Sequence, residues 1–231
     1  MKRFWKETTV EQVDGGWQVA LDGRRIRTQG GAPQIVPTHA LAQALADEWR
    51  AQGDKVDPAA FPLRDMADYA IDHVERDCAA VTNKLLQFLD TDTLCYRADP
   101  DEPLWRKQAE VWEPLLSTFE AREGVRLERV SGVGYRAHPE ETKTALSGSL
   151  AKRDAFTLAG LQTLASLAAS LCVALEASEG GDTQSLFAAA NLEEDWQAEQ
   201  WGWDPAARER RDGREAQFAA AARFIELARK G

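Results

Sequence analysis

AFTLAGLQTLASLAASLCVALEA, residues 155–177, carries no charge before Glu176 and is rich in leucine and alanine. A run of this length could in principle span a membrane. However, alanine contributes little to membrane insertion, and five hydroxyl or amide side chains interrupt the run: Thr157, Gln162, Thr163, Ser166 and Ser170. The segment therefore predicts a helix that is buried on most sides within a helical domain and is not inserted in a membrane.

Helical periodicity continues on both sides of this segment. Before it, apolar residues recur at helical spacing in three stretches, 67–78, 81–89 and 104–119. Pro114 predicts that the third stretch is split into two helices, and the short extended piece 124–130 predicts a hairpin within the bundle. After it, we expect a helix that is capped by Asp182 and runs toward Trp201, followed by a last helix over residues 205–230.

The first third of the chain has the pattern of a β-meander. Short alternating runs between Thr8 and Thr28 are broken by turn signals at residues 14–16 and 22–23, which read Asp-Gly-Gly and Asp-Gly. A further short strand is predicted over residues 34–36. These strands are too short to form more than a small sheet.

A helix capped by Thr38 follows the strands and carries apolar residues at every fourth position, Leu41, Leu45 and Trp49. Residues 57–62 contain two prolines and are interpreted as a linker. The sequence therefore predicts an α+β fold with two domains. Residues 1–60 form a small β-meander plus helix domain, and residues 61–231 form a larger, mainly α-helical bundle.

The composition excludes several classes of function. The chain has 231 residues and a formal net charge of −10, and its pI is near 4.9, so we expect no nucleic-acid partner. The basic residues between Arg208 and Arg214 alternate with acids and are interpreted as the solvated start of a helix. Three widely spaced cysteines indicate neither a disulfide framework nor a zinc site.

Location and cofactors are predicted from the motifs that the sequence lacks. The first fourteen residues contain no apolar stretch of the kind that secretion requires, which favours a bacterial cytoplasm, or a mitochondrial matrix if a leader has been removed. The histidines His39, His73 and His138 are isolated, and neither a phosphate-binding glycine loop nor a GxSxG elbow occurs. We therefore expect no metal, no cofactor and no small-molecule substrate.

The strongest candidate for acid–base chemistry is LDTDTLCYRAD, residues 89–99. Asp90 and Asp92 alternate there, and two carboxylates held close together would shift each other's pKa values. The same tract suits a helix end followed by a new helix start, in which Asp and Thr oxygens accept backbone N–H groups. We favour this structural role for both aspartates. The alternative is a small soluble acid–base enzyme that uses Asp90, Asp92 and His73.

The segment LEEDWQAEQWGWD, residues 192–204, is dense in acids and tryptophans. Three of the chain's eight tryptophans lie here: Trp196, Trp201 and Trp203. Acids resist burial whereas tryptophan rings are favoured anchors in interfaces, so the segment suggests a surface that meets a partner. Glu193, Glu194 and Glu199 alone would be typical of a solvated face. For the tryptophans, the sequence leaves core packing and partner binding equally open.

Five motifs occur in order over nearly the whole chain. They are RFWK at Arg3, VALDGR at Val19, PTHALAQALADEW at Pro37, LLQFLDTDTLCYRAD at Leu85 and EEDWQAEQWG at Glu193. Together they resemble the assembly chaperones that serve the α subunit of the F-type ATP synthase catalytic head. The resemblance implies a small β-rich amino-terminal domain joined to a larger orthogonal helical bundle.

The resemblance also implies that the protein is an ATP-independent chaperone and not an enzyme. Its partner would be the free α subunit, on the surface that later contacts the β subunit. By the same resemblance, the expected partner-binding residues are Glu193, Glu194, Trp201 and Gly202. Trp49, in the DEW motif, is expected to be a packing residue of the small domain. A general peptide-binding scaffold that uses its tryptophans is the remaining alternative.

Overall fold

The protein has a small sheet near its amino terminus and helices over most of the remaining chain. The computed structural model describes residues 2–132 and 134–229. The strands are β1 (Thr8–Val13), β2 (Gly16–Leu21), β3 (Arg24–Arg25), β4 (Ile35–Val36), β5 (Tyr96–Arg97) and β6 (Val130–Ser131). The helices are α1 (His39–Arg50), α2 (Pro62–Tyr69), α3 (Cys78–Asp90), α4 (Pro103–Glu123), α5 (Glu140–Leu150), α6 (Ala155–Ala168), α7 (Leu171–Ser178), α8 (Thr183–Ala190), α9 (Leu192–Trp201) and α10 (Pro205–Arg229).

This order of elements confirms the predicted α+β class, with strands first and a helical bundle after them. The last helix also follows the prediction, except that Lys230 lies outside the described residues. Among the residues that the structure describes, no helix is both long enough and apolar enough to cross a membrane.

Strand β2 organises the amino-terminal sheet. It pairs antiparallel with β1 from Thr8 opposite Leu21 to Val13 opposite Gly16, as the Asp-Gly-Gly turn predicts. Strands β3 and β4 also pair antiparallel with β2, at different positions along it. The predicted meander and the predicted strand before Pro37 are thus present, although β3 is only two residues long.

Aromatic rings fill the core beside this sheet. Trp5, Leu21, Val56 and Phe61 form a buried cluster. Trp49 packs against that cluster, with its ring edge-on to Trp5 at a centroid distance of 5.1 Å and 4.7 Å from the centroid of Phe61. These contacts agree with a packing role for Trp49, whose effect on folding stays a prediction.

Two side-chain caps fix the helices that flank the predicted linker. Thr38 Oγ1 accepts the N–H of Leu41 at 3.0 Å, the N-cap that the sequence predicts for α1. Glu48, on the last turn of α1, accepts the N–H groups of Leu63 at 2.7 Å and Arg64 at 2.9 Å, at the start of α2. Burial is the largest influence on the Glu48 carboxyl and raises its pKa to about 6, although both hydrogen bonds oppose the shift.

The raised pKa makes the stability of the protein depend on pH. Because the folded-state pKa of about 6 lies above the ordinary 4.5, the contribution of Glu48 is fully present below pH 4.5 and is lost as the pH rises through 6. We expect the free energy of unfolding to fall by about 1–2 kcal/mol over this interval, relative to Glu48→Gln. Urea unfolding at a series of pH values measures this difference, and parallel pH curves for the two proteins would contradict it.

The chain folds into two compact units. The first contains residues 1–78, 154–160 and 220–231, and the second contains residues 79–153 and 161–219. Helices α6 and α10 therefore contribute residues to both units. The predicted division into residues 1–60 and 61–231 stays a prediction, because compactness does not establish which segments fold independently.

Helix α4 is continuous through Pro114, so the predicted split is wrong. Proline removes one helical hydrogen bond and strains the preceding turn. The fully buried side chains of Trp112, Leu116 and Phe119 lie on both sides of the proline and anchor both halves of the helix in the core of the second unit. Thr118 Oγ1 in addition donates to the Pro114 carbonyl at 2.9 Å. Tertiary packing thus outweighs the local preference.

The apolar segment 155–177 is buried as predicted, but it forms two helices and not one. The chain breaks between α6 and α7 at Ala169, whose φ of +48° is left-handed. Ser170 then caps α7 by accepting the N–H of Val173 at 3.0 Å. Thr93 donates to the Ala169 carbonyl through its N–H at 3.1 Å and its hydroxyl at 3.0 Å. A distant residue therefore stabilises a break that local sequence does not mark.

The predicted hairpin over residues 124–130 is also wrong. Gly124 ends α4 in the left-handed conformation with φ +66°. The chain then extends to β6, which pairs in parallel with β5, so that Tyr96 lies opposite Val130. Parallel partners come from separate parts of the chain, and local alternation cannot reveal them.

Candidate partner-binding surface

Three consecutive acids open helix α9. Glu193, Glu194 and Asp195 lie in its first turn, where the positive end of the helix dipole favours negative charge. The predicted single helix from Asp182 toward Trp201 is in fact α8 followed by α9, because the chain breaks at Asn191. The Asp182 cap is present, since its carboxylate accepts the N–H of Ser185 at 2.9 Å.

Two of these acids pair with helix α10. Arg211 binds both oxygens of Asp195 at 2.6 Å in a bidentate pair, and Arg214 binds Glu194. The interpretation of the basic cluster as a solvated helix start is therefore wrong for Arg211 and Arg214, which hold α10 against α9. Glu194 already has a strong intramolecular partner.

Glu193 is the exposed member of the acidic run. Its Oε1 accepts a hydrogen bond from Gln108 Nε2 at 2.7 Å. Gln108 is completely buried in α4, and its own Oε1 accepts the N–H of Ala98 at 2.9 Å. Among the described residues, the second carboxylate oxygen of Glu193 has no hydrogen-bond partner. It is therefore available to a binding partner while Oε1 is held in place.

The three tryptophans of the segment have different surroundings. Trp201, at the end of α9, is 81% exposed. Trp196 and Trp203 are half-buried, and the Arg211 guanidinium carbon lies 5.9 Å from the Trp203 ring centroid. Gly202 ends the helix with φ +83°, and its N–H donates to the Ala198 carbonyl. Trp201 is thus the one ring of the three that offers a large free apolar surface.

An apolar groove lies beside this helix, which we call the α4–α8 groove. It consists of two adjoining cavities of about 330 and 350 Å³, both lined by Val111, Ser185 and Ala189. The first cavity extends along α9 to Trp196 and Glu199. Its floor is held by a hydrogen bond of 2.8 Å from Trp112 Nε1 to the Ala189 carbonyl.

The surroundings of Asp90 and Asp92 do not support the acid–base alternative, in which the two carboxylates would act as a pair. Lys143 Nζ lies 2.8 Å from Asp90 Oδ1. Asp92 is completely buried and accepts the N–H of Leu94 at 3.1 Å and that of Cys172 at 3.0 Å. Burial is the main cause that raises the pKa of Asp92. Each carboxylate thus has its own partners.

His73, the third residue of the acid–base alternative, is exposed, and its ring lies beside that of Tyr69 with centroids 5.6 Å apart. Within residues 2–132 and 134–229, no group of three or more His, Cys, Asp or Glu side chains could hold a metal ion.

Sequence reasoning missed Gln108, Arg211 and Arg214, which position the acids of α9. Gln108 is the polar member of the otherwise apolar stripe 104–119, and this departure was the available signal. A polar residue at a core position requires an internal hydrogen-bond partner. The arginines gave a weaker signal, because a charged run at a helix start is usually solvated.

Comparison with known proteins identifies the family. Residues 2–120 match the family model described as ATP12 chaperone protein. Protein atp12, mitochondrial, from Schizosaccharomyces pombe is 30% identical over 214 residues, which cover 87% of this chain and 74% of that protein.

Two crystal structures have the same fold. Atp12 from Paracoccus denitrificans is 36% identical with a TM-score of 0.92, over 99% of this chain and 98% of that one. A putative chaperone from Agrobacterium tumefaciens is 40% identical with a TM-score of 0.93, over 97% of this chain and 85% of that one. The resemblance inferred from the five motifs is thereby confirmed, and the chain belongs to the ATP12 chaperone family.

Proposed function

We propose that the protein is an ATP-independent chaperone that binds the free α subunit of F-type ATP synthase. It covers the surface of that subunit that later meets the β subunit, and so promotes assembly of the catalytic head. The observation that carries the proposal is the match to ATP12 chaperones in sequence and in fold along nearly the whole chain. We place this step in a bacterial cytoplasm or a mitochondrial matrix.

The physical need for such a protein is clear. A subunit of an obligate oligomer exposes a large apolar interface before it is assembled, and such surfaces aggregate. A chaperone that covers this interface prevents aggregation. The β subunit competes for the same surface and releases the chaperone, so that no nucleotide hydrolysis is required.

Helix α9 is the surface that we propose for the contact. Glu193 offers a carboxylate oxygen and Trp201 offers an exposed ring, two turns apart on one helix. Exposed tryptophans that become buried on binding are frequent hot spots of protein interfaces. Glu194 and Gly202 support this surface, Glu194 through Arg214 and Gly202 by ending the helix.

The decisive experiment is co-expression with the α and β subunits of the ATP synthase from the same organism. Affinity capture followed by native mass spectrometry should recover a one-to-one complex with α and none with β. Capture should persist when an unrelated unfolded protein is present in excess, which separates a dedicated chaperone from a general peptide-binding scaffold. Recovery of neither subunit by the wild-type protein would refute the proposal.

Trp201→Ala should weaken this capture strongly. Truncating a tryptophan hot spot costs about 2 kcal/mol or more, which is roughly a 30-fold rise in Kd. Tyr135→Ala is the matched control, because Tyr135 is also a large exposed aromatic residue, at 65% exposure. Both variants should melt like the wild-type protein. If the Trp201→Ala and wild-type proteins bind the α subunit with equal affinity, Trp201 is not part of the interface.

A further inference from the structure

The α4–α8 groove is apolar and preformed. Val111, Pro114 and Leu115 line it from α4, and Ala188, Ala189 and Leu192 line it from α8 and the start of α9. Its two cavities of about 330 and 350 Å³ are the size of a few amino-acid side chains.

Two hydrogen bonds fix the helices that line the groove. Trp112 is fully buried and fixes the Ala189 carbonyl at 2.8 Å, which sets the distance between α4 and α8. Gln108 fixes Glu193 at 2.7 Å and so sets the position of α9 against α4. A binding segment would therefore meet walls that are already ordered, which removes part of the entropic cost of association.

The charges around the groove indicate what enters it. Four carboxylates line the two cavities, those of Glu176, Asp182, Asp195 and Glu199, against the single ammonium group of Lys107. Arginines neutralise Glu176 and Asp195 within the chain, and Asp182 caps α8. Glu199 is exposed and has no ion-pair partner among the described residues. A cation on the bound segment would complement it.

We propose that the α4–α8 groove binds a short apolar segment of the partner protein, with a lysine or arginine of that segment beside Glu199. This inference rests on the proposed function, since the partner is the α subunit. A second copy of the chain is a poorer occupant, because each copy carries a net charge of −10 and two copies repel each other. The groove thereby extends the proposed α9 contact to α4 and α8.

Photo-cross-linking identifies the occupant directly. Ser185 lines both cavities and is exposed, so p-benzoylphenylalanine at this position should cross-link to the co-expressed α subunit. Mass spectrometry of the conjugate should give one apolar peptide that contains a lysine or arginine. The matched control is the same probe at exposed Gln184, which does not line the groove. Equal cross-linking from Gln184, an acidic peptide, or a conjugate with a second copy of the chain would each overturn the proposal.

Filling the groove should weaken binding without unfolding the protein. Ala188→Trp should lower the affinity for the α subunit at least tenfold, whereas Ala145→Trp, on the exposed face of α5, should not. Glu199→Arg should lower it severalfold, with exposed Glu110→Arg as the control. If wild-type protein captures α and the groove variants do so equally well, the groove proposal fails alone. If wild-type protein captures no α, the proposed function itself fails.

Discussion

Replacing Asp92 by alanine lowers the free energy of unfolding by about 2–6 kcal/mol, the largest stability loss that we expect from a single polar residue of this chain. Asp92 is completely buried, and its two oxygens accept the N–H groups of Leu94 and Cys172. Alanine leaves both buried donors without an acceptor, and each lost acceptor costs about 1–3 kcal/mol. Urea unfolding followed by far-UV circular dichroism measures the change.

Asp90→Ala is the internal control for this experiment. Asp90 lies two residues away, is more than a third exposed at its side chain and pairs with Lys143 near the surface. A pair of this kind contributes about 0–1 kcal/mol. An Asp92→Ala protein that unfolds at the wild-type urea concentration would contradict the capping role. The acid–base enzyme would then become the better alternative. If the stable Asp92→Ala variant also lost an enzymatic activity of the wild-type protein, that result would support it.

Glu193→Lys should abolish capture of the α subunit, whereas Glu193→Gln should retain most of it. Lysine removes the acceptor for Gln108 Nε2 and places a cation at the positive end of α9. It also reverses the charge that faces the partner. Glutamine keeps an acceptor oxygen for Gln108 and changes the charge by only one unit. Affinity capture of both variants beside the wild-type protein measures the difference.

Thermal unfolding of the same two variants separates binding from folding. Because the Gln108 side chain is buried, loss of its acceptor should cost Glu193→Lys about 1–3 kcal/mol of stability, which is less than the roughly 5–15 kcal/mol that usually separates the folded from the unfolded state. Buried Leu192 and the Arg211–Asp195 ion pair still hold α9 in place. If Glu193→Lys is unfolded at the temperature of the capture experiment, the residue is structural and the partner contact must be sought elsewhere on α9.

The helices could be predicted from the sequence, but the interruptions could not. Apolar spacing predicts α1 and α3 because each buries one face, and burial follows from the side chains themselves. Ala169 and Pro114 show the limit. The break at Ala169 depends on Thr93, far away in sequence, and the continuity at Pro114 depends on buried neighbours. Both outcomes are decided by tertiary contacts that no local pattern contains.

The sequence shows which residue types the candidate surface contains, but it does not show which of them are exposed or paired. The segment 192–204 stands out in the sequence because it is dense in acids and tryptophans. In the structure, these acids and tryptophans have different surroundings. Trp201 is exposed, whereas Trp203 packs near Arg211. Glu194 is paired, whereas Glu193 keeps one oxygen without a partner. These differences arise because α10 lies against α9, and the pairing of two helices depends on the whole fold.

The first compact unit draws on both ends of the chain. It contains residues 1–78 together with 154–160 and 220–231, and Thr38 Oγ1 donates to the Leu227 carbonyl at 2.7 Å. On the ribosome, the amino-terminal sheet emerges while residues 79–219 are still untranslated. At roughly 5–20 residues per second this interval lasts on the order of ten seconds. The contacts that residues 154–160 and 220–229 make within this unit, including that of the Leu227 carbonyl with Thr38, therefore form only after most of the chain has been synthesised.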